Sequence, residues 1–513
     1  METPTCPPRR PSHRHLGLLL ACVTLFATAL PASATETLAG LAARIDAHLA
    51  QPRFAAADWG IAVVSLQTGR TVYAHNADRL FQPASTAKLY TAALILSTLA
   101  PDYRIPTRVL GKPVGRHGEV SGPLILYGMG DPTLGADPTT ADWADQLARQ
   151  LAARGVKRVR GDLIADDTYF SGPPIGSGWE AMDLQHSFAA PASALSVHEN
   201  RLRVIVTPGA AGDPARLRFE PAAAAPPTRL RLITGEPGTP DDLNLYRAPG
   251  GKALHVFGRI AADAPARSFP LAVADPAQAA ALELQQALLR QGIRLDGQPR
   301  VLHWPQDDAS SHADTMVLAE VLSPPLTEIL RRGLKRSQNL YLQNLLLLAG
   351  VRAQVDAQQG AVPPGYFVNT EAWGIRALRA LLKRIGIPPS ASLIDEGSGL
   401  SRRDLTTPNA LVRLLGFLAV SHGDALRAML PVAGVDGTLA RRMRDTPAMA
   451  NVHAKTGSMT YVHGLAGYVT SAAGEPLAFA ILLNNYDPPG GAPGVAADID
   501  AIAVLLATLD QRS

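Results

Sequence analysis

Three short motifs lie far apart in this 513-residue chain, and each of them occurs only once. In chain order they are S-x-x-K at Ser85-Thr86-Ala87-Lys88, S-x-N at Ser337-Gln338-Asn339 and K-T-G at Lys455-Thr456-Gly457. Each motif is short enough to occur by chance, but the three together, in this order, indicate serine acyl-enzyme chemistry. The chain must then fold so that three distant segments meet in one cleft.

The S-x-x-K motif supplies a nucleophile and a base. We expect Ser85 to open a helix, so that Lys88, three residues later, projects from the same face. A serine hydroxyl is a poor nucleophile until a neighbouring base takes its proton, and a lysine with a lowered pKa can do so. Arginine cannot, because it does not lose its proton. Only seven of the 48 Lys and Arg residues are lysines, and Lys88 and Lys455 both fall at motif positions.

The K-T-G motif is predicted to lie on a strand and to bind substrate. Lys455 can bind a terminal carboxylate and, as a second cation, can lower the pKa of Lys88. Thr456 offers a hydroxyl to the same carboxylate. Gly457 has no side chain, so the substrate backbone can lie against the strand. We expect the backbone N–H groups of Ser85 and Ser458 to form an oxyanion hole.

The S-x-N motif is expected to complete the site. Ser337 can relay a proton to the departing amine, and Asn339 can hold the amide next to the scissile bond. The predicted catalytic residues are therefore Ser85, Lys88 and Ser337. The predicted substrate-binding residues are Asn339, Lys455, Thr456, Gly457 and Ser458.

The first residues of the chain predict export. Three arginines precede an apolar run from Leu16 to Leu30, which is too short to span a bilayer, and Ala32-Ser33-Ala34 offers a cleavage site. We therefore interpret residues 1–34 as a signal peptide cleaved near Ala34, and the mature protein as periplasmic. Both cysteines, Cys6 and Cys22, precede that site, so the mature chain has no thiol. Whether the mature protein also contacts the membrane peripherally, and its oligomeric state, stay open.

Hydrophobic periodicity predicts an α/β fold with a large β-rich insertion. A strand hairpin at residues 60–75 and an antiparallel pair at 462–484 surround helix-rich sequence. Short strands separated by Gly/Pro turns dominate residues 105–271. We therefore assign residues 35–104 and 272–513 to a catalytic domain and residues 105–271 to the insertion. No run of Lys and Arg indicates nucleic-acid binding.

Several longer stretches give the sequence a family resemblance. Together they extend from about Phe81 to Tyr486, and they include Gly130-Asp131-Pro132-Thr133-Leu134, Asp166-Asp167-Thr168, Ala190-Pro191-Ala192-Ser193-Ala194-Leu195-Ser196 with Glu199-Asn200, Gly397-Ser398-Gly399-Leu400-Ser401, Asp436-Gly437-Thr438-Leu439 and Gly464-Leu465-Ala466-Gly467-Tyr468. The chain resembles the type-4 penicillin-binding proteins, the low-molecular-mass class C D-alanyl-D-alanine carboxypeptidases and endopeptidases. It departs from them at Asp395-Glu396, because the family usually has Asp directly before the glycine.

This resemblance implies a transpeptidase/β-lactamase-like domain, an antiparallel sheet with flanking helices plus an all-helical part, that carries the insertion. It implies removal of the terminal D-Ala from peptidoglycan stem peptides, or opening of D-Ala to diaminopimelate cross-links, through an acyl-enzyme on Ser85. β-Lactams would then be covalent inhibitors. The resemblance also implies that Asp167 and Tyr169 lie near the diaminopimelate side chain.

Two alternatives remain. A serine β-lactamase would share the motifs, but the sequence lacks the E-x-x-x-N and Y-x-N deacylation signatures of two lactamase classes. A non-catalytic β-lactam or wall-binding sensor would not need Ser85, Lys88, Ser337 and Lys455 together. No cofactor is expected, and the histidines show no metal-binding spacing such as H-E-x-x-H.

Overall fold

The computed structural model describes residues 37–306, 312–357 and 369–513. The predicted signal peptide, residues 1–34, lies outside these residues. The helices are α1 (Leu38–Leu49), α2 (Lys88–Thr98), α3 (Trp143–Ala153), α4 (Pro276–Arg290), α5 (Leu326–Lys335), α6 (Asn339–Ala357), α7 (Thr370–Arg384), α8 (Pro408–Met429) and α9 (Val495–Ala507). Within the described ranges, no helix combines the length and apolar character that crossing a bilayer requires.

The strands fall along the whole chain. Those of the first half are β1 (Asp58–Ser65), β2 (Thr71–His75), β3 (Pro106–Gly111), β4 (Glu119–Val120), β5 (Leu124–Gly128), β6 (Arg158–Val159), β7 (Leu163–Asp166), β8 (Arg201–Thr207), β9 (Arg216–Glu220), β10 (Thr228–Gly235), β11 (Asn244–Tyr246) and β12 (Leu254–Ala261). Those of the second half are β13 (Arg267–Ala272), β14 (Arg294–Leu295), β15 (Pro299–Leu302), β16 (Met316–Leu322), β17 (Ser392–Leu393), β18 (Leu405–Thr406), β19 (His453–Met459), β20 (Val462–Thr470) and β21 (Pro476–Asn484).

Both ends of the described chain build one five-stranded antiparallel sheet, in the order β19-β20-β21-β1-β2. The predicted β1/β2 hairpin and the β20/β21 pair are both present. Alternate residues of β1 point to opposite faces: Ile61 and Val63 join a core with α1 and α9, and Ala62 joins a core with α2 and α8. The sheet leaves β19, which bears the K-T-G motif, at one edge.

The helical part holds the nucleophile. Helices α2, α5, α6, α7 and α8 share one apolar core, and α2 is buried along most of its length. The sequence predicted a helix that starts near Pro83. In the structure a 3₁₀ turn, Ala84–Ala87, comes first and α2 begins at Lys88. Ser85 therefore lies on the turn and Lys88 on the first turn of the helix.

The β-rich segment packs with sequence that follows it. The sheet β15-β7-β5-β3-β16 runs from β3 to β16, and α3, α4 and the strands from β3 to β16 share a single apolar core. Helix α4 contributes a row of buried alanines and leucines to this core, including Ala280, Leu284 and Leu288. The predicted end of the insertion, residue 271, thus falls inside a packed unit that continues to Leu322.

Candidate active site

Residues of the first two motifs, and Ser458 directly after the third, meet at one cavity of about 310 Å³. Ser85, Ser337, Asn339 and Ser458 line it together, although they come from the 3₁₀ turn before α2, the α5–α6 junction and the edge strand β19. Helices and a strand edge hold these side chains on packed elements, which fixes their relative positions.

Lys88 uses all of its hydrogen-bonding capacity at this junction. Its Nζ lies 2.7 Å from Ser85 Oγ, 2.5 Å from Asn339 Oδ1 and 2.5 Å from the carbonyl oxygen of Ser398. The side chain is fully buried, and burial lowers the pKa of Lys88 to about 7, against the opposing charges of Glu396 and Asp404. A neutral amine has two N–H groups and one lone pair. The two carbonyl oxygens can take the N–H groups, which leaves the lone pair for the Ser85 hydroxyl.

Lys455 contacts the serine of the S-x-N motif. Its Nζ donates to Ser337 Oγ at 2.8 Å and to the Thr456 carbonyl at 2.7 Å. Burial, and next the charge of Lys88, lower the pKa of Lys455 well below its usual range. The charge of Lys88 thus acts on Lys455, whereas the sequence analysis expected Lys455 to lower the pKa of Lys88, which burial lowers instead.

The close packing of strand β19 requires glycine at position 457, which the sequence did not reveal. A Cβ at this position would lie 2.6 Å from the Pro83 carbonyl oxygen and 3.2 Å from both Ala84 Cβ and Thr86 N. Real Cβ atoms do not approach so closely, so β19 can pack on the turn that bears Ser85 only with glycine here. The prediction had assigned the space to substrate backbone alone.

The S-x-N loop is held by a residue of the β-rich segment. Ser337 has a positive φ of 55°, which is uncommon for a residue with a side chain. Buried Glu199 accepts hydrogen bonds from Tyr341 Oη at 2.9 Å, from Gln338 Nε2 at 3.0 Å and from Arg336 at 3.1 Å. Glu199 therefore braces both sides of Ser337, and the sequence analysis noted it only as part of the resemblance.

Asn339 is fully engaged in the free protein. Its Oδ1 accepts from Lys88 and its Nδ2 donates to the Phe188 carbonyl at 2.8 Å. The Thr456 hydroxyl pairs with the hydroxyl of Thr438 at 2.8 Å. Thr438 was not predicted as a site residue, although it belongs to the Asp436-Gly437-Thr438-Leu439 stretch.

A group of charged residues lines the same cavity and was missed by sequence reasoning. Glu180, Asp183 and Arg402 all lie in its wall, and Arg402 Nε is 3.2 Å from Glu180 Oε1. Burial, and next the charge of Glu180, raise the pKa of Asp183. Glu180 and Asp183 lie in a segment without helical or strand periodicity, and Arg402 directly follows the 397–401 stretch. No local sequence pattern therefore predicted these residues as part of the site.

Asp167 and Tyr169 are not among the residues that line this cavity, and their predicted position near the substrate side chain stays a prediction. Asp167 borders a separate cavity of about 360 Å³, where it contacts His303 Nδ1 at 2.9 Å and accepts from Ser193 Oγ at 2.8 Å. Asp167 and then Asp275 raise the pKa of His303 to about 10, so the Asp167 charge is neutralised locally. Tyr169 packs edge-on against Tyr127. Within the described ranges, no cluster of His, Cys, Asp and Glu could hold a metal ion.

A serine bonded to a buried lysine, with a second buried lysine bonded to the next serine, defines a serine-type peptidase that works through an acyl-enzyme. The sequence profile of the D-Ala-D-Ala carboxypeptidase 3 (S13) family matches residues 41–509, and the chain belongs to this family. The predicted transpeptidase/β-lactamase-like fold, the family and the serine-type D-alanyl-D-alanine carboxypeptidase class are thereby confirmed.

Individual relatives cover most of the chain. It is 36% identical over 476 residues to a D-alanyl-D-alanine carboxypeptidase of Actinomadura sp. (strain R39), an alignment that covers 90% of this chain and 84% of the relative. It is 28% identical to the D-alanyl-D-alanine carboxypeptidase DacB of Haemophilus influenzae, over 83% of this chain and 85% of the relative. The crystal structure of penicillin binding protein 4 from H. influenzae superposes with a TM-score of 0.76 at 25% identity, over 90% of this chain and 97% of that one.

Proposed function

We propose that the protein trims peptidoglycan stem peptides through an acyl-enzyme on Ser85, and that β-lactams acylate the same hydroxyl. One observation carries the proposal: Ser85 Oγ lies 2.7 Å from Nζ of a fully buried lysine, while Lys455 lies 2.8 Å from Ser337 in the same site. A β-lactam complex is known for penicillin binding protein 4 from H. influenzae, a structural neighbour.

In the first step Lys88 acts as the base. It takes the proton of Ser85 as Oγ bonds to the carbonyl carbon of the penultimate D-Ala. The backbone N–H groups of Ser85 and Ser458 donate hydrogen bonds to the carbonyl oxygen, on which negative charge develops. The terminal carboxylate pairs with Lys455 and the hydroxyl of Thr456, and its charge favours the ammonium form of that lysine.

In the second step the tetrahedral intermediate collapses and the C–N bond breaks. The departing amine takes, through the Ser337 hydroxyl, the proton that Lys88 removed from Ser85, and the acyl group stays on Ser85. Lys88 is then neutral again and takes a proton from the water that attacks the ester. It returns this proton to Ser85 Oγ as the ester bond breaks, and the shortened peptide leaves as a carboxylic acid that ionises in solvent. No cofactor or metal enters this sequence.

The charged wall of the cavity suits a substrate side chain of mixed charge. Glu180 and Asp183 can bind an amino group, and Arg402 can bind a carboxylate in a bidentate manner. A diaminopimelate side chain carries both groups on one carbon. We therefore assign the side-chain pocket to Glu180, Asp183 and Arg402, in place of Asp167 and Tyr169.

The site of action follows from the substrate. Peptidoglycan lies outside the inner membrane, and a leader cleaved near Ala34 would deliver the mature protein to the periplasm. The experiment is to incubate the purified mature protein with cross-linked and uncross-linked muropeptides that contain either diaminopimelate or lysine, and to identify the products by mass. Loss of one D-Ala, with preference for diaminopimelate, supports the proposal. Unchanged muropeptides of every kind would contradict it.

A further inference from the structure

Glu396 is a fully buried carboxyl group in the loop behind Lys88. It accepts five hydrogen bonds, from Ser398 N at 2.8 Å, Ser398 Oγ at 2.7 Å, Gly399 N at 2.5 Å, Leu400 N at 3.0 Å and Trp179 Nε1 at 3.2 Å. Because Trp179 lies in the β-rich segment, this carboxylate also joins that segment to the catalytic domain.

The turn that Glu396 holds is one wall of the lysine site. Ser398, whose N–H and hydroxyl both point to Glu396, presents its carbonyl oxygen to Lys88 Nζ at 2.5 Å. The next residue, Gly399, has a φ of 74°, and a Cβ there would lie 2.1 Å from the Ala84 carbonyl oxygen. The turn is therefore pressed against the 3₁₀ turn that bears Ser85.

A second carboxyl group lies close to Glu396. Asp404 is fully buried, and its Oδ1 accepts from the N–H of Asp395 at 2.8 Å. Within the described part of the chain, Asp404 Oδ2 has no hydrogen-bond partner. Burial, and next the charge of Glu396, raise the pKa of Asp404 well above its usual range.

We propose that Glu396 is a positioning residue for the reaction. Its carboxylate holds the 398–400 turn, and this turn presents the Ser398 carbonyl oxygen to Lys88. The proposal rests on the acyl-enzyme function proposed above. Glu396 does not line the cavity and acts through the turn that it holds.

The other charged groups nearby are accounted for. The charges of Glu396 and Asp404 both act on Lys88 of α2, and the charge of Lys88 acts on Lys455 of β19. Asp395 pairs with Arg403 at 2.6 Å. Glu371 on α7 accepts hydrogen bonds from Gln343 at 2.6 Å and from Ser177. Glu371 is not among the charges that act on Lys88, which makes it a matched control.

The experiment measures the second-order rate constant for acylation by a fluorescent penicillin between about pH 5 and about pH 9. It compares the wild type with E396Q, E396D and the control E371Q, each checked by thermal unfolding. E396Q should move the acidic midpoint of the rate profile down by roughly 1–2 pH units, because Lys88 loses a nearby negative charge. E396D keeps the charge but is shorter, so it should keep the midpoint and lower the plateau. E371Q should leave both the midpoint and the plateau in place.

Two results would overturn the proposal. An unshifted midpoint in E396Q would show that Glu396 supports the fold only. A plateau in E396D equal to that of the wild type would show that the reach of the Glu396 carboxylate to the 398–400 turn does not affect the reaction. If E396Q does not fold, the E396D plateau still decides. Failure of the function itself is distinguishable, since it would appear as penicillin labelling that survives S85A.

Discussion

Lys88 Nζ lies 2.5 Å from Oδ1 of Asn339, a residue 251 positions further along the chain. The base of the first motif and the amide of the second are therefore direct neighbours, and Asn339 orients the lysine as well as facing the cavity. The contact also explains how Lys88 can be buried without a carboxylate bonded to it, since its N–H groups find neutral oxygens.

The pH dependence of acylation follows from this environment. Lys88 works as a base only when neutral, and its pKa is lowered to about 7. The acylation rate should rise roughly tenfold per pH unit below about pH 7 and level off above it. Stopped-flow measurement with a chromogenic β-lactam checks this, and a profile that is flat from about pH 5 upward would contradict the role of Lys88.

Replacing Lys455 by arginine should impair acylation although it keeps a positive charge. The ammonium is fully buried and reaches Ser337 and the Thr456 carbonyl, and a larger planar guanidinium does not fit that space. We expect a loss of about 10²-fold in the acylation rate constant, comparable to the removal of one transition-state contact. Exposed Lys383→Arg is the matched control and should behave like the wild type. Full activity of K455R would refute the assignment.

Replacing Gly457 by alanine should push the turn that bears Ser85 away from strand β19. The added methyl group collides with the Pro83 carbonyl, so the variant should lose activity and about 1–3 kcal/mol of stability. Gly490→Ala, where an added Cβ meets no atom within 4 Å, is the control and should change neither. Thermal unfolding and penicillin labelling provide the two readouts. A fully active, fully stable G457A would mean that β19 does not pack as described.

Glu199→Ala should disorganise the S-x-N loop from a distance. The substitution leaves Tyr341 and Gln338 without their buried acceptor, which costs about 1–3 kcal/mol. Ser337 should then lose its orientation, so release of D-Ala should fall more than penicillin binding does. Comparison of the two rates in E199A and E199Q tests this. Equal rates in E199A and the wild type would show that the loop keeps its shape without Glu199.

The sequence indicated the residues of the proposed chemistry better than the residues that hold them in place. Ser85, Lys88, Ser337 and Lys455 could be assigned because their chemistry demands those residue types at fixed local spacing. Glu199, Glu396 and Thr438 could not, because each acts through tertiary contacts that no short spacing records. The hairpin β1/β2 and the β20/β21 pair were evident from alternation of apolar residues. The pairing of β1 with β21 joins strands more than 400 residues apart and had no local pattern.

The expected role of Asp167 came from the family resemblance and stays a prediction. What the charge of Asp167 can do depends on what packs against it, which no short stretch of sequence records. His303, 136 residues later, neutralises Asp167, and the cavity with Ser85 takes its charges from Glu180, Asp183 and Arg402 instead.

The most direct test is to locate the covalent adduct. The mature protein is incubated with penicillin, digested, and its peptides are mapped by mass spectrometry, with S85A treated in parallel. The account predicts one penicilloyl group on the peptide that contains Ser85 and none on any peptide of S85A. An adduct on another residue, or the absence of any adduct on a folded wild-type protein, would contradict it.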